Sequence, residues 1–214
     1  MLELYSPQSA KKAIDRESDW ICRVAEEFSV PASWIRAILL KEMTELNLMD
    51  LVADLAVRFY YLRFRLLGRE PKSSGRFLGK KDSSTGWAQI YAFVAIRALN
   101  FAADRAIADY TALGFEPSHR LDAANPRDRW QVWERLNTDR RFNIAMCALN
   151  LLSCAHERTG RTDVRSFTPD EIKLTFTRYN GTVPTVTPYA ESVYRYYEQY
   201  REQTAQQLRQ THGL

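Results

Sequence analysis

The sequence has few of the residues that build disulfide frameworks and metal sites. Its 214 residues include three cysteines and three histidines, namely Cys22, Cys147 and Cys154 and His119, His156 and His212. An odd number of cysteines without a Cys-x-x-Cys pair argues against a disulfide framework and against a zinc ribbon. The histidines are scattered and lack the spacing of metal ligands. We therefore expect reduced cysteines and no metal.

Long hydrophobic runs are also missing. No stretch approaches the roughly 18 apolar residues of a membrane-spanning helix, so we expect a soluble chain. The segment from Met1 to Ser6 leads into Lys11 and Lys12 without an apolar core or a cleavage site, and no Sec signal is visible. The sequence thus predicts a protein made in the cytoplasm that reaches any extracytoplasmic target by another route.

Charge of both signs is present, with a local basic excess. Lysine and arginine exceed the acids by 30 to 26, which gives a net charge of +4. The stretch from Arg58 to Lys81 alone holds eight basic residues against one acid, Glu70. This stretch is either a solvated loop, which we favour, or a surface for an anionic polymer such as nucleic acid or an acidic glycan.

With 45% hydrophobic residues, the composition argues against a disordered chain and against collagen.

Hydrophobic periodicity favours helices almost throughout, and the expected fold class is all-α with at most a small hairpin or loop. The expected helices are Ser9 to Phe28, Ser29 to Leu48, Asp50 to Leu67, Thr85 to Asp104, Arg127 to Leu136, Arg140 to Arg158, Thr168 to Tyr179, and a last one from Thr187-Pro188. Loops are expected at 68–84 and 114–127, where glycine and proline accumulate. We expect residues 1–28 to form a helical extension packed on a domain of residues 29–205, with a fraying tail at 206–214.

One carboxylate interrupts an apolar stripe in the second helix. Ile35, Ile38, Leu39, Glu42 and Leu46 recur at helical spacing, so Glu42 lies in line with aliphatic side chains. Burial beside apolar groups raises the pKa of a carboxyl, as a general acid near neutral pH requires. The alternative is a glutamate that leans into solvent or pairs with a neighbouring cation.

Two later segments extend this hypothesis. Gly86-Trp87-Ala88-Gln89 follows a polar loop, and Tyr179-Asn180-Gly181 closes a late helix, before Tyr189-Ala190-x-x-Val193 and Tyr197. In this order the segments resemble the lysozyme-like lytic transglycosylases, whose motifs read Glu-Ser, Gly-Leu-Met-Gln, Ala-Tyr-Asn and Tyr-Ala-x-x-Val. The resemblance covers roughly Ser29 to Tyr200 and implies a lysozyme-like helical domain with a catalytic cleft.

The resemblance also implies roles for individual residues. Glu42 would protonate the glycosidic oxygen, and Gly86, Trp87 and Gln89 would line the groove beside it. Tyr179 would hydrogen-bond the carboxyl or the sugar, and Asn180 would fix the turn or bind substrate. The substrate would be the glycan strand of peptidoglycan, cut between N-acetylmuramic acid and N-acetylglucosamine, with no cofactor. Release through a holin or a specialised secretion system would explain the missing signal.

Three positions leave alternatives open. Met43 and Arg178 replace a serine and a small residue of the family motifs, and a cation at Arg178 close to Glu42 would lower the pKa of that carboxyl. Asp82 is the preferred second carboxylate if one exists, or else a cap for the helix expected at Thr85. The alternative function is a catalytically inactive glycan-binding or structural module on the same fold. Nucleic-acid binding is not expected.

Overall fold

A computed structural model describes residues 4–68, 70, 80–108, 111, 113–114 and 120–212, without the side chains of 204–205 and 207–212. These residues contain helices and no named strand, so the expected all-α class is confirmed. The helices are α1 Pro7–Arg16, α2 Ser18–Glu27, α3 Ala32–Glu45, α4 Leu48–Leu67, α5 Ala92–Asp104, α6 Pro126–Thr138, α7 Arg140–Thr159, α8 Pro169–Asn180 and α9 Pro188–His212, with a short 3-10 turn at Val164–Ser166.

Local signals in the sequence account for many helix ends. Thr168 and Glu171 form a reciprocal capping box at the start of α8, where Pro169 needs no hydrogen-bond acceptor for its nitrogen. Asn47 and Asp50 form a second capping box at the start of α4. Gly68 ends α4 in the left-handed conformation, with its amide bonded to the Phe64 carbonyl. Side-chain caps and glycine stops therefore set these boundaries.

The hydrophobic core is built around α3 and α7. Every residue of α7 from Phe142 to Ala155 is buried, and α7 packs against α2, α3, α5, α6 and α8. The other central helix, α3, contacts α1, α2 and α9. Trp34 of α3 meets Phe176 of α8 edge-on, with ring centroids 5.4 Å apart. The two N-terminal helices are thus packed on the rest of the chain.

Two of the expected helices, the first and the fourth, differ most from the structure. The expected helix from Ser9 to Phe28 is two helices, because the backbone leaves helical geometry at Glu17 (φ −99°, ψ 12°). The Glu17 carboxylate pairs with Arg140 of α7 at 2.9 Å, a contact that local periodicity cannot report. The helix expected at Thr85 begins instead at Ala92. A turn precedes it, in which Thr85 and Ile90 form an antiparallel bridge.

Other expected features fall partly outside the described residues. Within the expected loop at 68–84, residues 69 and 71–79 lie outside them, and 80–84 have no regular structure. Within the expected connection at 114–127, residues 115–119 lie outside them, and α6 begins at Pro126. The last helix continues to His212, past the point near Gln206 where fraying was expected. Among the described residues, no helix has the length and hydropathy needed to cross a membrane.

Candidate functional site

A cleft of about 540 Å³ opens between the end of α3, the start of α4, the turn before α5 and the end of α8. Four of the residues to which the resemblance gives a role in catalysis or substrate binding line it: Glu42, Gln89, Tyr179 and Asn180. These residues come from three segments far apart in the sequence, and the fold brings them together. The cleft is therefore the candidate active site.

Glu42 lies in the last turn of α3 and is partly exposed to the cleft. The next residue, Met43, is fully buried in the core, so it does not line the cleft. The Tyr189 hydroxyl of α9 donates a short hydrogen bond to Glu42 Oε1. Burial raises the pKa of Glu42 from 4.5 to about 8, against the opposing effect of this hydrogen bond. At pH 7 the carboxyl is therefore mostly protonated.

Charged neighbours modify this pKa less than burial does. Glu45 and Asp50 also line the cleft, and their negative charge raises the pKa of Glu42 further. Lys41 lowers it, but Lys41 Nζ is paired with Glu45 at 2.5 Å. Asp50 accepts a hydrogen bond from the Asn47 amide at 2.9 Å as part of the α4 capping box. The local charge balance therefore favours the neutral form of Glu42.

Gln89 belongs to the turn between Thr85 and Ile90. Its φ of +46° is unusual for a residue with a side chain, and such strain is often kept at functional sites. Its side-chain amide donates to the Gly86 carbonyl at 2.8 Å, which closes the turn on itself. The turn thereby holds Gln89 at the cleft wall in a fixed conformation.

Gly86 and Trp87 do not line the cleft. Gly86 has a φ of +72°, and a Cβ there would lie 2.1 Å from Nδ2 of Asn143, so the position requires glycine. Trp87 is half-buried, and the guanidinium of Arg140 lies 4.3 Å from its ring centroid. Gly86 and Trp87 thus belong to the turn but not to the cleft lining, where the resemblance would have placed them.

The buried amide of Asn143 holds the turn in place. Its Oδ1 accepts the Ala88 amide at 2.9 Å, and its Nδ2 donates to the carbonyls of Thr85 at 3.1 Å and Leu136 at 3.2 Å. One side chain of α7 thus pairs three backbone groups that would otherwise be buried without partners. Sequence reasoning missed Asn143, because nothing near it in the sequence distinguishes it.

The contact with the carboxyl that the resemblance offered to Tyr179 is made by Tyr189 instead. The Tyr179 hydroxyl donates to the Ala88 carbonyl at 2.8 Å and lies 3.7 Å from Cys147 Sγ, so it fixes the turn. Tyr189 is the residue that contacts the Glu42 carboxyl. Burial raises the pKa of both tyrosines well above its usual value, so both remain hydrogen-bond donors. The Tyr-Ala-x-x-Val motif was the signal for Tyr189.

Asp82 does not line the cleft. Its two carboxylate oxygens accept the amides of Ala92 at 3.0 Å and Phe93 at 3.1 Å. These amides open α5, where a carboxylate satisfies otherwise unpaired donors and interacts well with the helix dipole. The geometry favours the capping role over catalysis, with the cap on the helix at Ala92 rather than at Thr85. The carboxylates that share the cleft with Glu42 are Glu45 and Asp50.

Arg178 is held by a carboxylate of another helix. Its Nε lies 2.6 Å from Glu157 Oε2, and its guanidinium also donates to the Gly181 carbonyl at 3.3 Å. Arg178 lines the cleft but does not figure among the groups that shift the pKa of Glu42. The cation that lowers the pKa of Glu42 is Lys41, which is itself paired with Glu45.

Among the described residues, no group of histidine, cysteine and acidic side chains is arranged to hold a metal ion. Comparison of the chain with protein-family models, with curated proteins and with solved structures finds no match.

Proposed function

We propose that the protein is a peptidoglycan-cleaving glycosidase with Glu42 as its general acid. The bond cut is the β-1,4 linkage between N-acetylmuramic acid and N-acetylglucosamine, on a lysozyme-like helical domain. The observation that carries the proposal is a cleft-facing carboxyl whose pKa is raised to about 8 and which the hydroxyl of Tyr189 orients. The order of the sequence motifs supplies the substrate class.

The protonation state of Glu42 suits acid catalysis. With a pKa of about 8, roughly nine-tenths of the carboxyl groups carry a proton at pH 7. Because Tyr189 donates to Oε1, the acidic proton is favoured on Oε2. Transfer of that proton to the glycosidic oxygen would release the leaving sugar as its bond to the anomeric carbon breaks. The carboxylate formed would then take the proton of the hydroxyl that bonds to this carbon, which is water in a lysozyme and a hydroxyl of the same sugar in a lytic transglycosylase.

The cleft walls suit an uncharged sugar strand. Gln89, Asn150 and Asn180 carry amide groups that can donate to and accept from hydroxyl and acetamido groups. Tyr91 and Phe93 line the same cleft, with ring centroids 5.5 Å apart. Exposed aromatic rings beside amide groups are a common arrangement for binding sugars, because the ring faces pack on the apolar faces of the sugar.

The test is mass spectrometry of purified peptidoglycan after incubation with the wild type, Glu42→Gln and Glu134→Gln. Glu134 is an exposed glutamate of α6 outside the cleft, so it controls for the loss of one carboxyl. We expect muropeptides from the wild type and from Glu134→Gln and none from Glu42→Gln. Anhydro products would identify a lytic transglycosylase, and reducing ends would identify a lysozyme and direct attention to Glu45 and Asp50.

An absence of products from all three proteins, across several wall chemotypes, would refute the proposed glycosidase activity. Retained binding to insoluble peptidoglycan in that case would favour an inactive glycan-binding module. Products from Glu42→Gln at the wild-type rate would refute the role given to Glu42 while leaving the activity in place.

A further inference from the structure

An apolar stripe runs along the outer face of α4. Its six members recur every three or four residues and are all exposed: Leu48, Leu51, Leu55, Phe59, Leu62 and Leu66. Leu55 is 64% exposed and Leu66 is 77% exposed. Scattered exposed leucines are ordinary, but a continuous row of six marks a surface that contacts another apolar phase.

The opposite face of α4 explains why the stripe points outwards. Val57, Tyr60 and Tyr61 are buried, and Tyr61 packs on Trp130 of α6 with ring centroids 4.8 Å apart. The helix is thus anchored to the domain by one face. Its 20 residues correspond to a rod of about 30 Å, and the stripe follows most of that length.

The charges beside the stripe are positive on both sides. At about 100° per residue, Arg65 lies beside it on one side and Arg63 on the other, whereas Arg58 donates a hydrogen bond to Asn137 of α6. The acids of α4 lie further round the helix and bind within the protein. Asp54 accepts from Ser83 at 2.7 Å and from Thr85 at 2.8 Å, and Asp50 belongs to the capping box. The stripe therefore requires a partner that is apolar at its centre and negative beside it.

We propose that α4 docks this protein on the surface of an anionic lipid bilayer. The six apolar side chains enter the boundary between headgroups and acyl chains, and Arg63 and Arg65 contact lipid phosphates. A second copy of the chain is a poorer occupant, because pairing two α4 stripes would bring the flanking arginines of both copies together. The inference does not depend on the proposed glycosidase activity.

The test is flotation of the full-length protein with vesicles of phosphatidylglycerol and phosphatidylcholine, and with pure phosphatidylcholine. Leu55→Gln/Leu62→Gln removes the middle of the stripe with residues that keep helix propensity. Val183→Gln is the matched control, because Val183 is 49% exposed and lies outside α4. We expect binding to anionic vesicles to fall at least about tenfold in the double variant and to stay unchanged in the control.

A second variant, Arg63→Gln/Arg65→Gln, tests the charge component. Its binding to anionic vesicles should be weaker than that of the wild type at low salt, and the two should converge at high salt. Circular dichroism and urea unfolding verify that each variant is folded. The proposal is overturned if the folded wild type binds no vesicle, or if the double leucine variant binds as the wild type does. Self-association abolished by that variant, without vesicle binding, would assign the stripe to a second copy.

Discussion

The raised pKa of Glu42 predicts that Glu42→Gln stabilises the fold. In the unfolded chain this carboxyl loses its proton near pH 4.5, and in the folded protein it does so near pH 8. Between these values the folded state holds a proton that the unfolded state lacks, so the stability of the wild type falls as the pH rises. Above pH 8 both states are ionised and the loss is complete.

The magnitude follows from the two pKa values. At about 1.4 kcal/mol per pKa unit, the difference between 4.5 and about 8 costs the wild type roughly 5 kcal/mol above pH 8. At pH 7 the cost is roughly 3 kcal/mol, because the stability of the wild type goes on falling until the folded carboxyl ionises near pH 8. These are upper values, since the partly exposed carboxyl is screened by solvent in the cleft. Glutamine stays neutral and can still accept the Tyr189 hydroxyl.

Urea unfolding followed by circular dichroism between pH 4 and pH 9 measures the effect. The gain of Glu42→Gln over the wild type should be near zero at pH 4 and should grow to about 3 kcal/mol at pH 7. Glu134→Gln, on the exposed face of α6, should show little change at any pH, since surface substitutions cost within about 0.5 kcal/mol. A difference between Glu42→Gln and the wild type that is constant from pH 5 to pH 8 would refute the raised pKa.

Two further predictions test the neighbours of Glu42. In urea unfolding, Gly86→Ala should lower the free energy of unfolding by about 2–4 kcal/mol, because the added Cβ would meet Asn143 and the φ of this residue is +72°. The control is Gly68→Ala, where φ is similar but the space around the added Cβ is open. It should lower the free energy of unfolding by only about 1 kcal/mol. Tyr189→Phe removes a hydrogen bond that lowers the pKa of Glu42, so this pKa should rise further in the variant. The rate of glycan cleavage by the wild type is expected to fall as the pH rises past about 8, and in the variant this fall should move to higher pH. An unchanged pH profile would contradict the prediction.

Much of the helical content is predictable because its causes are local. The start of α8 follows from Thr168, Pro169 and Glu171, three neighbours whose capping geometry is complete within one turn. The end of α4 follows from Gly68, which adopts the left-handed backbone. Glu42 could also be found, because an acid in an apolar stripe is visible from helical spacing alone.

The turn from Thr85 to Ile90 was not predictable, because its cause lies elsewhere in the chain. The local sequence, Gly86 followed by apolar residues, favours a helix start. The observed turn depends on Asn143 of α7 and Tyr179 of α8, which bond its backbone groups. Neither residue has a local signature that links it to the turn. Tertiary hydrogen bonds thus override the local preference at the segment that forms the cleft wall.

The two motif departures, Arg178 and Met43, lie in surroundings that the sequence alone does not reveal. Arg178 would argue against an acid if its charge reached Glu42, but Glu157, 21 residues away in the sequence, pairs with it at 2.6 Å. Met43 stands where the family motif has a serine, and it is fully buried and does not line the cleft. The raised pKa of Glu42 instead depends on burial, with Tyr189, 147 residues away, as its hydrogen-bond donor. The packing of α3 against α9 therefore sets the environment of the Glu42 carboxyl, because it brings the Tyr189 hydroxyl to Oε1.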